Sequence, residues 1–212
     1  MTSISPASSP DTESSVEASA PSRFVPLRDR EPPLSLLFFR MFKWSAVTPM
    51  FHLYCRGRIY GKEKLPRTGP VILVSNHASD FDPPFIAAGL ERPVAFMAKE
   101  ELFKVPILGP AIRGFGAYPV KRGSADRSAI RAALASLEQG WAAGLFLDGT
   151  RRPDGRIHDP KLGAAMIAAK TQAPLLPVSI WGTEHILPEG AKFVRPVPVT
   201  IRVGEMIAPP AS

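Results

Sequence analysis

A histidine and an aspartate five residues apart, His77 and Asp82, are the side chains in this sequence best suited to catalysis. They follow the apolar run 71–74, which predicts a strand and places the histidine at a carboxyl strand end, where α/β sheets bind ligands. If Asp82 accepts a hydrogen bond from one ring nitrogen of His77, the other nitrogen can take a proton from an alcohol. No G-x-S-x-G sequence supplies a serine nucleophile, which favours direct attack by a substrate hydroxyl.

The spacing of this pair requires a turn between the two residues. On one continuous helix the side chains would lie about 140° apart, because a helix turns once in about 3.6 residues. Pro83 and Pro84 favour the first turn of a helix, so we expect the helix to begin at Asp82 or Pro83, with His77 on the preceding turn. An alternative stays open here, in which Asp82 or Asp80 only caps that helix and the histidine is structural.

A second cluster, Gly149, Thr150 and Arg151, follows another apolar run. Gly149 permits close backbone approach, and Thr150 and Arg151 can bond to an anion, with two parallel hydrogen bonds available from arginine. Lys121 and Arg122 end a further predicted strand. The carboxyl ends of these strands would converge on one rim of the sheet, where the bases would bind a phosphate. The alternative for the Arg151 cluster is a basic loop that faces solvent.

The elements that must hold these residues alternate between strands and helices, which predicts an α/β domain with a mostly parallel central sheet flanked by helices. The clearest helix is predicted over 126–139, where apolar residues recur at helical spacing, and others follow Asp82, Val105 and Leu162. The predicted strands are 71–75, 94–98, 118–121, 144–147, 175–179 and 197–203.

Three regions are expected along the chain. Residues 1–33 contain eight serines and six prolines, a composition that predicts a disordered tail. Residues 34–54 are apolar but interrupted by Arg40, Lys43 and Pro49, so no membrane-spanning helix is predicted. The aromatic and basic residues there suit helices that lie in a membrane interface, and the alternative is an ordinary buried helical pair. Residues 55–212 would form the catalytic domain.

Charge and cysteine content limit the possible partners and compartment. The net charge is +7, and because residues 1–33 contribute −2, the remaining body carries +9. Such a surplus suits an anionic membrane, a phosphorylated substrate or a nucleic acid, and the motifs must distinguish among them. Cys55 is the only cysteine, which excludes an internal disulfide and a cysteine-based zinc site and is consistent with a reducing compartment.

Four sequence blocks together resemble the glycerolphosphate acyltransferase family, and specifically its lysophosphatidic acid acyltransferases. The resemblance covers about residues 55–185 and depends on the order and spacing of the blocks. The first three blocks are Asn76, His77 and Asp82, then 99–122 with Pro106, Gly109 and Arg122, and then Phe146, Gly149, Thr150 and Arg151. The fourth is the apolar, proline-containing run 173–178.

The resemblance implies a role for each matched residue. His77 would be the general base on a glycerol hydroxyl and Asp82 its orienting partner. Arg122, Gly149, Thr150 and Arg151 would bind the substrate phosphate. Three further residues are candidates for substrate positioning, namely Asn76, Lys121 and Asp148. The third block departs from the family pattern F-P-E-G-T-R-S, because Leu147, Asp148 and Arg152 replace its proline, glutamate and serine.

The resemblance also implies the reaction and the partners. A fatty acyl group would move from acyl-CoA or acyl carrier protein to the free hydroxyl of 1-acylglycerol 3-phosphate, forming phosphatidic acid in phospholipid synthesis. No cofactor or metal is expected, because a thioester is already activated, and nucleic acid is not an expected partner. The protein would be peripheral or monotopic on the cytoplasmic face of a membrane.

Alternatives from other classes stay open at this stage. The acceptor could be another lysolipid or glycerol 3-phosphate. Asp80 and Asp82 also form a D-x-D pattern, which with a divalent ion would indicate a glycosyltransferase acting on a nucleotide sugar. A non-enzymatic module that uses its basic surface to bind membrane or nucleic acid is a third possibility, but neither of these last two accounts for all four blocks.

Overall fold

The computed structural model describes residues 37, 40–90, 92–106, 108–114, 116–120, 127–138 and 140–209. Seven strands form one sheet in the order β1-β7-β6-β2-β5-β3-β4. Strands β6 and β7 pair antiparallel, and all other neighbours pair parallel. The strands are β1 Arg58–Tyr60, β2 Ile72–Ser75, β3 Val94–Lys99, β4 Tyr118–Val120, β5 Ala142–Phe146, β6 Leu175–Trp181 and β7 Thr200–Val203.

Helices cover both faces of the sheet because its central strands are apolar on both sides. The described α-helices are α1 Asp82–Gly89, α2 Leu108–Gly114, α3 Arg127–Glu138 and α4 Gly163–Thr171, with short 3₁₀ turns at Lys62–Lys64, Glu100–Lys104 and Thr183–His185. Leu73 and Phe96 pack toward α1 on one face, which we call the α1 layer. Ile72 and Ala95 pack toward α3 and α4 on the other.

An N-terminal helical segment, residues 40–54, packs on the α1 layer. Val47 and Phe51 are buried there, and the rings of Phe51 and Phe85 meet edge to face at 5.2 Å. Because Pro49 lacks an N–H, it interrupts the regular ladder, and the chain forms wide turns at Lys43–Val47 and Met50–Tyr54. Among the described helices, none has both the length and the apolar character that crossing a bilayer requires.

The fold predicted from the sequence is confirmed in its class and in most of its elements. The mostly parallel sheet and its flanking helices are present, α3 covers the described part of the predicted 126–139 helix, and α1 begins at Asp82. β1 was missed because three residues on an edge carry too little alternating pattern. The predicted disordered tail, 1–33, lies outside the described residues.

Candidate active site at the carboxyl edge of the sheet

His77 and Asp82 meet at the carboxyl end of β2. Their closest atoms are His77 Nδ1 and Asp82 Oδ2, 2.9 Å apart. Because an ionised carboxylate can only accept, Nδ1 carries the proton in this pair and Nε2 is left as the basic nitrogen. The chain reaches this geometry through a tight turn, in which the Asp82 N–H donates to Ser79 O at 3.1 Å.

The carboxylate of Asp82 is fully buried and accepts hydrogen bonds from four groups. Oδ2 receives His77 Nδ1 and the backbone N–H groups of Ala78 and Ser79, at 2.7 and 2.8 Å, and Oδ1 receives the hydroxyl of Thr183. A helix cap would instead accept from N–H groups that follow it in the helix. Asp82 therefore organises the preceding turn around His77, and it does not cap α1.

Phe146 fixes the plane of the histidine ring. The two rings stack with centroids 3.8 Å apart and planes 12° apart, and Phe96 stacks on Phe146 at 5.1 Å. Asp82 holds one edge of the imidazole while Phe146 covers one of its faces, so the ring keeps a single orientation. The sequence indicated Phe146 only as a block residue, and its contact with His77 depends on the pairing of β2 with β5.

His77 lines a cavity of about 540 Å³ whose wall is otherwise mainly apolar. Asp80, Lys99 and Arg151 are the charged residues on that wall. The apolar lining comes from the N-terminal helical segment, α1, α2, β3 and the end of β5. The cavity is of the size that proteins use for small-molecule ligands, and it joins the basic nitrogen of a histidine to apolar space.

Arg151 reaches the turn that carries His77 and Asp82. Its Nη1 lies 2.6 Å from Asp80 Oδ2, and both side chains are exposed. An exposed ion pair contributes only about 0–1 kcal/mol, so a phosphate that binds with two hydrogen bonds can displace Asp80 at small cost. The structure thus brings Arg151 and His77 to the wall of one cavity, at the carboxyl edge of the sheet.

Asp148 shapes the loop after β5. Its buried carboxylate accepts the backbone N–H groups of His158 at 3.1 Å and Asp159 at 2.6 Å. The same loop is fixed to the catalytic turn by Arg152 N–H, which donates to His77 O at 2.7 Å. Gly149 takes φ +63° at the sharp turn, a conformation that favours glycine. The substrate-positioning role expected for Asp148 stays a prediction.

Asn76 joins three segments beneath the site. Its Nδ2 donates to Gly155 O and Ile180 O, both at 2.8 Å, and its Oδ1 accepts Ile180 N–H at 2.9 Å. These bonds tie the end of β2 to β6 and to the loop after β5. All the described polar contacts of Asn76 are internal, and its predicted contact with substrate stays a prediction.

The remaining predicted residues divide into two groups. Thr150 lies on the loop after β5, between Gly149 and Arg151. Lys121 and Arg122, predicted to bind or position the phosphate, lie outside the described residues. Sequence reasoning missed Thr183, because a threonine beyond the end of a strand gives no motif signal and its partner Asp82 is far away in the chain.

Comparison with known proteins identifies the class to which this fold and site belong. The model of the Acyltransferase family matches residues 56–181. The chain is 29% identical to the 1-acyl-sn-glycerophosphate (LPA) acyltransferase PlsC from Thermotoga maritima, with a TM-score of 0.62 over 83% of this chain and 85% of that crystal structure. The chain therefore belongs to the acyltransferase family.

Two similar relatives within that family are both named 1-acyl-sn-glycerol-3-phosphate acyltransferases. The chain is 31% identical over 145 residues to the 1-acyl-sn-glycerol-3-phosphate acyltransferase of Bacillus subtilis, covering 67% of this chain and 72% of the relative. It is also 31% identical to the chloroplastic 1-acyl-sn-glycerol-3-phosphate acyltransferase BAT2 of Brassica napus, covering 71% of this chain and 44% of that protein. It thus spans less than half the length of this plant relative. The predicted resemblance to lysophosphatidic acid acyltransferases is confirmed.

Proposed function

We propose that the protein transfers a fatty acyl group from a thioester to the free hydroxyl of 1-acylglycerol 3-phosphate, forming phosphatidic acid. One observation carries this proposal: the His77–Asp82 pair opens onto a mainly apolar cavity that Arg151 also lines. Formation of an acyl ester from a phosphorylated alcohol requires a base for the hydroxyl, apolar space for the acyl chain and a cation for the phosphate. The names of the relatives agree with this acceptor.

In the proposed mechanism, His77 acts as the general base. Nε2 accepts the hydroxyl proton as the acceptor oxygen bonds to the thioester carbonyl carbon, and Asp82 stabilises the resulting imidazolium through Nδ1. Collapse of the tetrahedral intermediate breaks the carbon–sulfur bond, and the proton on Nε2 passes to the thiolate that leaves. The enzyme then returns to its starting protonation state, and no covalent acyl-enzyme forms.

The phosphate of the acceptor would bind at Arg151, with Gly149 and Thr150 in the same loop and Arg122 as a further cation. The apolar cavity would hold the acyl chain beside His77. Acyl-CoA and acyl carrier protein both supply the required thioester, and either could be the donor. The chemistry needs no metal or other cofactor, because the thioester supplies the activated carbonyl.

The membrane is the expected location of both lipid substrates. The N-terminal helical segment bears exposed Met41 and Trp44 beside the buried Val47 and Phe51, an arrangement that suits a helix lying in the interface of a bilayer. We propose that residues 34–54 hold the catalytic domain, 55–212, at the cytoplasmic face of a membrane as a peripheral or monotopic protein.

The alternative of a metal-dependent glycosyltransferase finds little support in the geometry of its D-x-D pair. Asp80 binds Arg151, whereas the Asp82 carboxylate is surrounded by His77, two backbone amides and Thr183. The two carboxylates thus engage different partners. Among the described residues, no group of three or more His, Cys, Asp or Glu side chains is arranged to hold a metal ion.

The test is an acyl-transfer assay of the purified full chain. Labelled acyl-CoA and acyl carrier protein are each offered with lysophosphatidic acid, glycerol 3-phosphate and non-phosphorylated lysolipids. We expect acylation of lysophosphatidic acid, with loss of at least about a hundredfold in kcat for His77→Ala. His185→Ala, which removes a histidine side chain 72% exposed, is the matched control. Equal activity of His77→Ala and wild type, or acylation of a non-phosphorylated acceptor alone, would refute the proposal.

A further inference from the structure

A loop after β6 presents an apolar side chain to solvent between two cations. The loop spans residues 188–197 and precedes β7. Phe193 is 81% exposed, and its neighbours Lys192, Val194 and Arg195 are also exposed. Full burial of a phenylalanine side chain stabilises a protein by about 1.5–3 kcal/mol, and an exposed phenylalanine lacks this stabilisation. An exposed aromatic flanked by bases is typical of a contact with a lipid interface.

This loop is attached to the N-terminal helical segment. The Tyr54 hydroxyl donates to Val194 O at 2.8 Å, and Leu53, the residue before Tyr54, is 80% exposed. The Arg195 N–H donates to Ile186 O at 2.8 Å and holds the other side of the loop. Phe193 is therefore presented by a braced loop, next to the end of the segment that already carries exposed apolar residues.

The position of the loop in the fold agrees with a shared surface. Val197, at the end of the loop, and Val199, just beyond it, pack in the same apolar layer as Val47 and Phe51 of the helical segment. Val199 also pairs with the chain just beyond Tyr54, since its N–H donates to Cys55 O at 3.0 Å. The loop and the helical segment thus belong to one side of the sheet, opposite α3 and α4.

The charges near this surface indicate which partner it suits. Lys192 and Arg195 flank Phe193 in the loop, and Arg56 and Arg58 are exposed just beyond Tyr54. Glu189 is an exposed acid in the same loop, so these residues comprise four bases and one acid. Each base near an anionic bilayer contributes about 1 kcal/mol of attraction. Cations around apolar side chains match a bilayer whose negative headgroups lie above acyl chains, and they match an ordinary apolar protein interface less well.

We propose that Lys192, Phe193, Val194 and Arg195, together with Leu53 and Tyr54, form a second lipid-contact point that inserts into the interface of an anionic membrane. The phenylalanine and leucine would enter the acyl boundary, while the bases would contact lipid phosphates. The loop would extend the contact made by the helical segment, and the wider contact would fix the orientation of the domain on the surface. The proposal concerns binding and does not depend on which acceptor is acylated.

Binding of the full chain to vesicles tests the proposal directly. Vesicles of phosphatidylcholine containing about one quarter phosphatidylglycerol are compared with pure phosphatidylcholine by sedimentation. We expect Phe193→Ser to weaken binding about three- to tenfold, the range given by partial burial of one aromatic side chain. Met166→Ser is the matched control, because Met166 is 56% exposed on α4, in the opposite layer. It should bind as wild type does.

A second measurement keeps the test independent of effects on folding. Cys55 is the only cysteine and is buried, so an environment-sensitive dye can be placed selectively at Phe193→Cys. We expect its emission to shift to the blue and increase with anionic vesicles. The proposal would be overturned if the dye emission stayed as in water or if Phe193→Ser bound vesicles as wild type does. It would also be overturned, in favour of a protein partner, if Phe193→Ser lost self-association of the chain without a change in vesicle binding.

An independent observation concerns Thr183, whose hydroxyl donates to Asp82 Oδ1. Thr183 is fully buried at the start of the 3₁₀ turn after β6, beyond the residues 56–181 that the family model matches. Gly182 makes this turn possible, since it takes φ +93° and a Cβ there would meet Pro198 O at 2.0 Å. The turn therefore delivers a hydroxyl to the carboxylate oxygen that His77 does not use.

We infer that Thr183 is a positioning residue for the catalytic pair, an inference that rests on the proposed function. Oδ2 of Asp82 is fixed by the histidine and two amides, and the Thr183 hydroxyl fixes Oδ1. The carboxylate then cannot rotate away from Nδ1. Because Thr183 acts through Asp82 and His77, its loss should affect the chemical step more than the binding of either substrate.

The experiment compares Thr183→Val with Thr183→Ser. We expect Thr183→Val to lower kcat about tenfold or more with KM nearly unchanged, and Thr183→Ser to restore most of the rate, because serine keeps the hydroxyl. Thr171→Val removes a hydroxyl bonded to Ile167 O on α4 and is the control for stability alone. If wild type is active, an unchanged kcat in Thr183→Val, or an equal loss of kcat in both Thr183 variants, would overturn the inference. An inactive wild type would instead refute the proposed function.

Discussion

The ring of His77 is held on two sides by groups of different chemistry. Asp82 binds one ring nitrogen and provides a negative charge, whereas Phe146 covers one face without a hydrogen bond. In the proposed mechanism, the carboxylate therefore contributes electrostatically, while the aromatic ring limits the orientations of the imidazole. Substitutions that keep shape and remove charge can separate these contributions.

Asp82→Asn removes the charge and keeps the shape of the side chain. We expect kcat to fall about a hundred- to ten-thousandfold, because the imidazolium loses its counter-charge and the tautomer of His77 is no longer specified. The measurement is acyl transfer to lysophosphatidic acid under saturating substrate. Asp154→Asn, an exposed carboxylate paired with His158, is the control and should retain full activity. A drop of less than fivefold in Asp82→Asn would contradict the role of the pair.

Asp80 and the expected phosphate would compete for the Arg151 guanidinium, which is paired with Asp80 in the structure. Arg151→Gln should raise KM for lysophosphatidic acid about tenfold or more, since a charge-assisted hydrogen bond contributes about 1.5–3 kcal/mol. Asp80→Asn should lower the same KM, because it removes the competing anion. Steady-state kinetics with varied acceptor measure both effects, and Arg156→Gln, an exposed arginine in the same loop, serves as control. Opposite or absent shifts would exclude Arg151 from phosphate binding.

At the scale of elements, the loop after β5 is organised by one buried carboxylate. Asp148 gathers the backbone N–H groups of His158 and Asp159, and Lys161 N–H donates to Leu147 O at 2.8 Å, which closes the loop on its own strand. Gly149, Thr150 and Arg151, which we propose bind the phosphate, lie within this closed loop. Its shape therefore depends on these internal hydrogen bonds as well as on the bonds from Arg152 to His77 and from Asn76 to Gly155.

Asp148→Asn tests this dependence. The NH₂ group of the asparagine would replace an acceptor oxygen and face a backbone N–H, which is also a donor. We therefore expect the free energy of unfolding to fall by roughly 1–3 kcal/mol. KM for the acceptor should rise as well, because the loop carries Arg151. Urea unfolding and acceptor kinetics provide the two measurements. Asp159→Asn, which loses only an exposed ion pair with Lys161, should change neither by much. Unchanged stability in Asp148→Asn would show that the loop does not need this carboxylate.

At the scale of the whole molecule, the sequence predicts features that lie within one element but does not predict contacts between residues far apart in the chain. The helix spacing around Ile130 and Leu137 predicted α3, and Pro83 with Pro84 predicted where α1 begins, because both signals lie within one element. The contact of Thr183 with Asp82 depends on where two segments meet in the folded sheet. No spacing along the chain encodes such a contact.

Asp82 and Asp148 show the same limit on what the sequence can predict about contacts. Sequence reasoning paired Asp82 with His77 correctly, since five residues and two prolines leave only a turn between them. For Asp148, the family pattern suggested a role toward substrate, which stays a prediction, and did not indicate its hydrogen bonds to loop amides ten and eleven residues further along the chain. A loop of that length has too many conformations for its internal bonds to be deduced from residue types.

Arg92 holds the amino edge of the sheet, away from the catalytic rim. Its buried guanidinium donates to Pro66 O at 2.7 Å and also to Gly69 O and Gly140 O, and so links the turn before β2 to the start of β5. Burial lowers the pKa of Arg92 to about 10, so the group is still charged at neutral pH. Its stabilising contacts are thus charge-assisted hydrogen bonds to backbone oxygens.

Arg92→Met should therefore separate stability from catalysis. Three carbonyl oxygens would lose their donor, and we expect the free energy of unfolding to fall by about 2–4 kcal/mol. Because the site lies at the opposite edge of the sheet, kcat and KM measured well below the unfolding transition should stay within about twofold of wild type. Arg131→Met, on the exposed side of α3, is the matched control for loss of an arginine. A large change in kcat for Arg92→Met in folded protein would contradict this expectation and would mean that the two edges of the sheet are coupled.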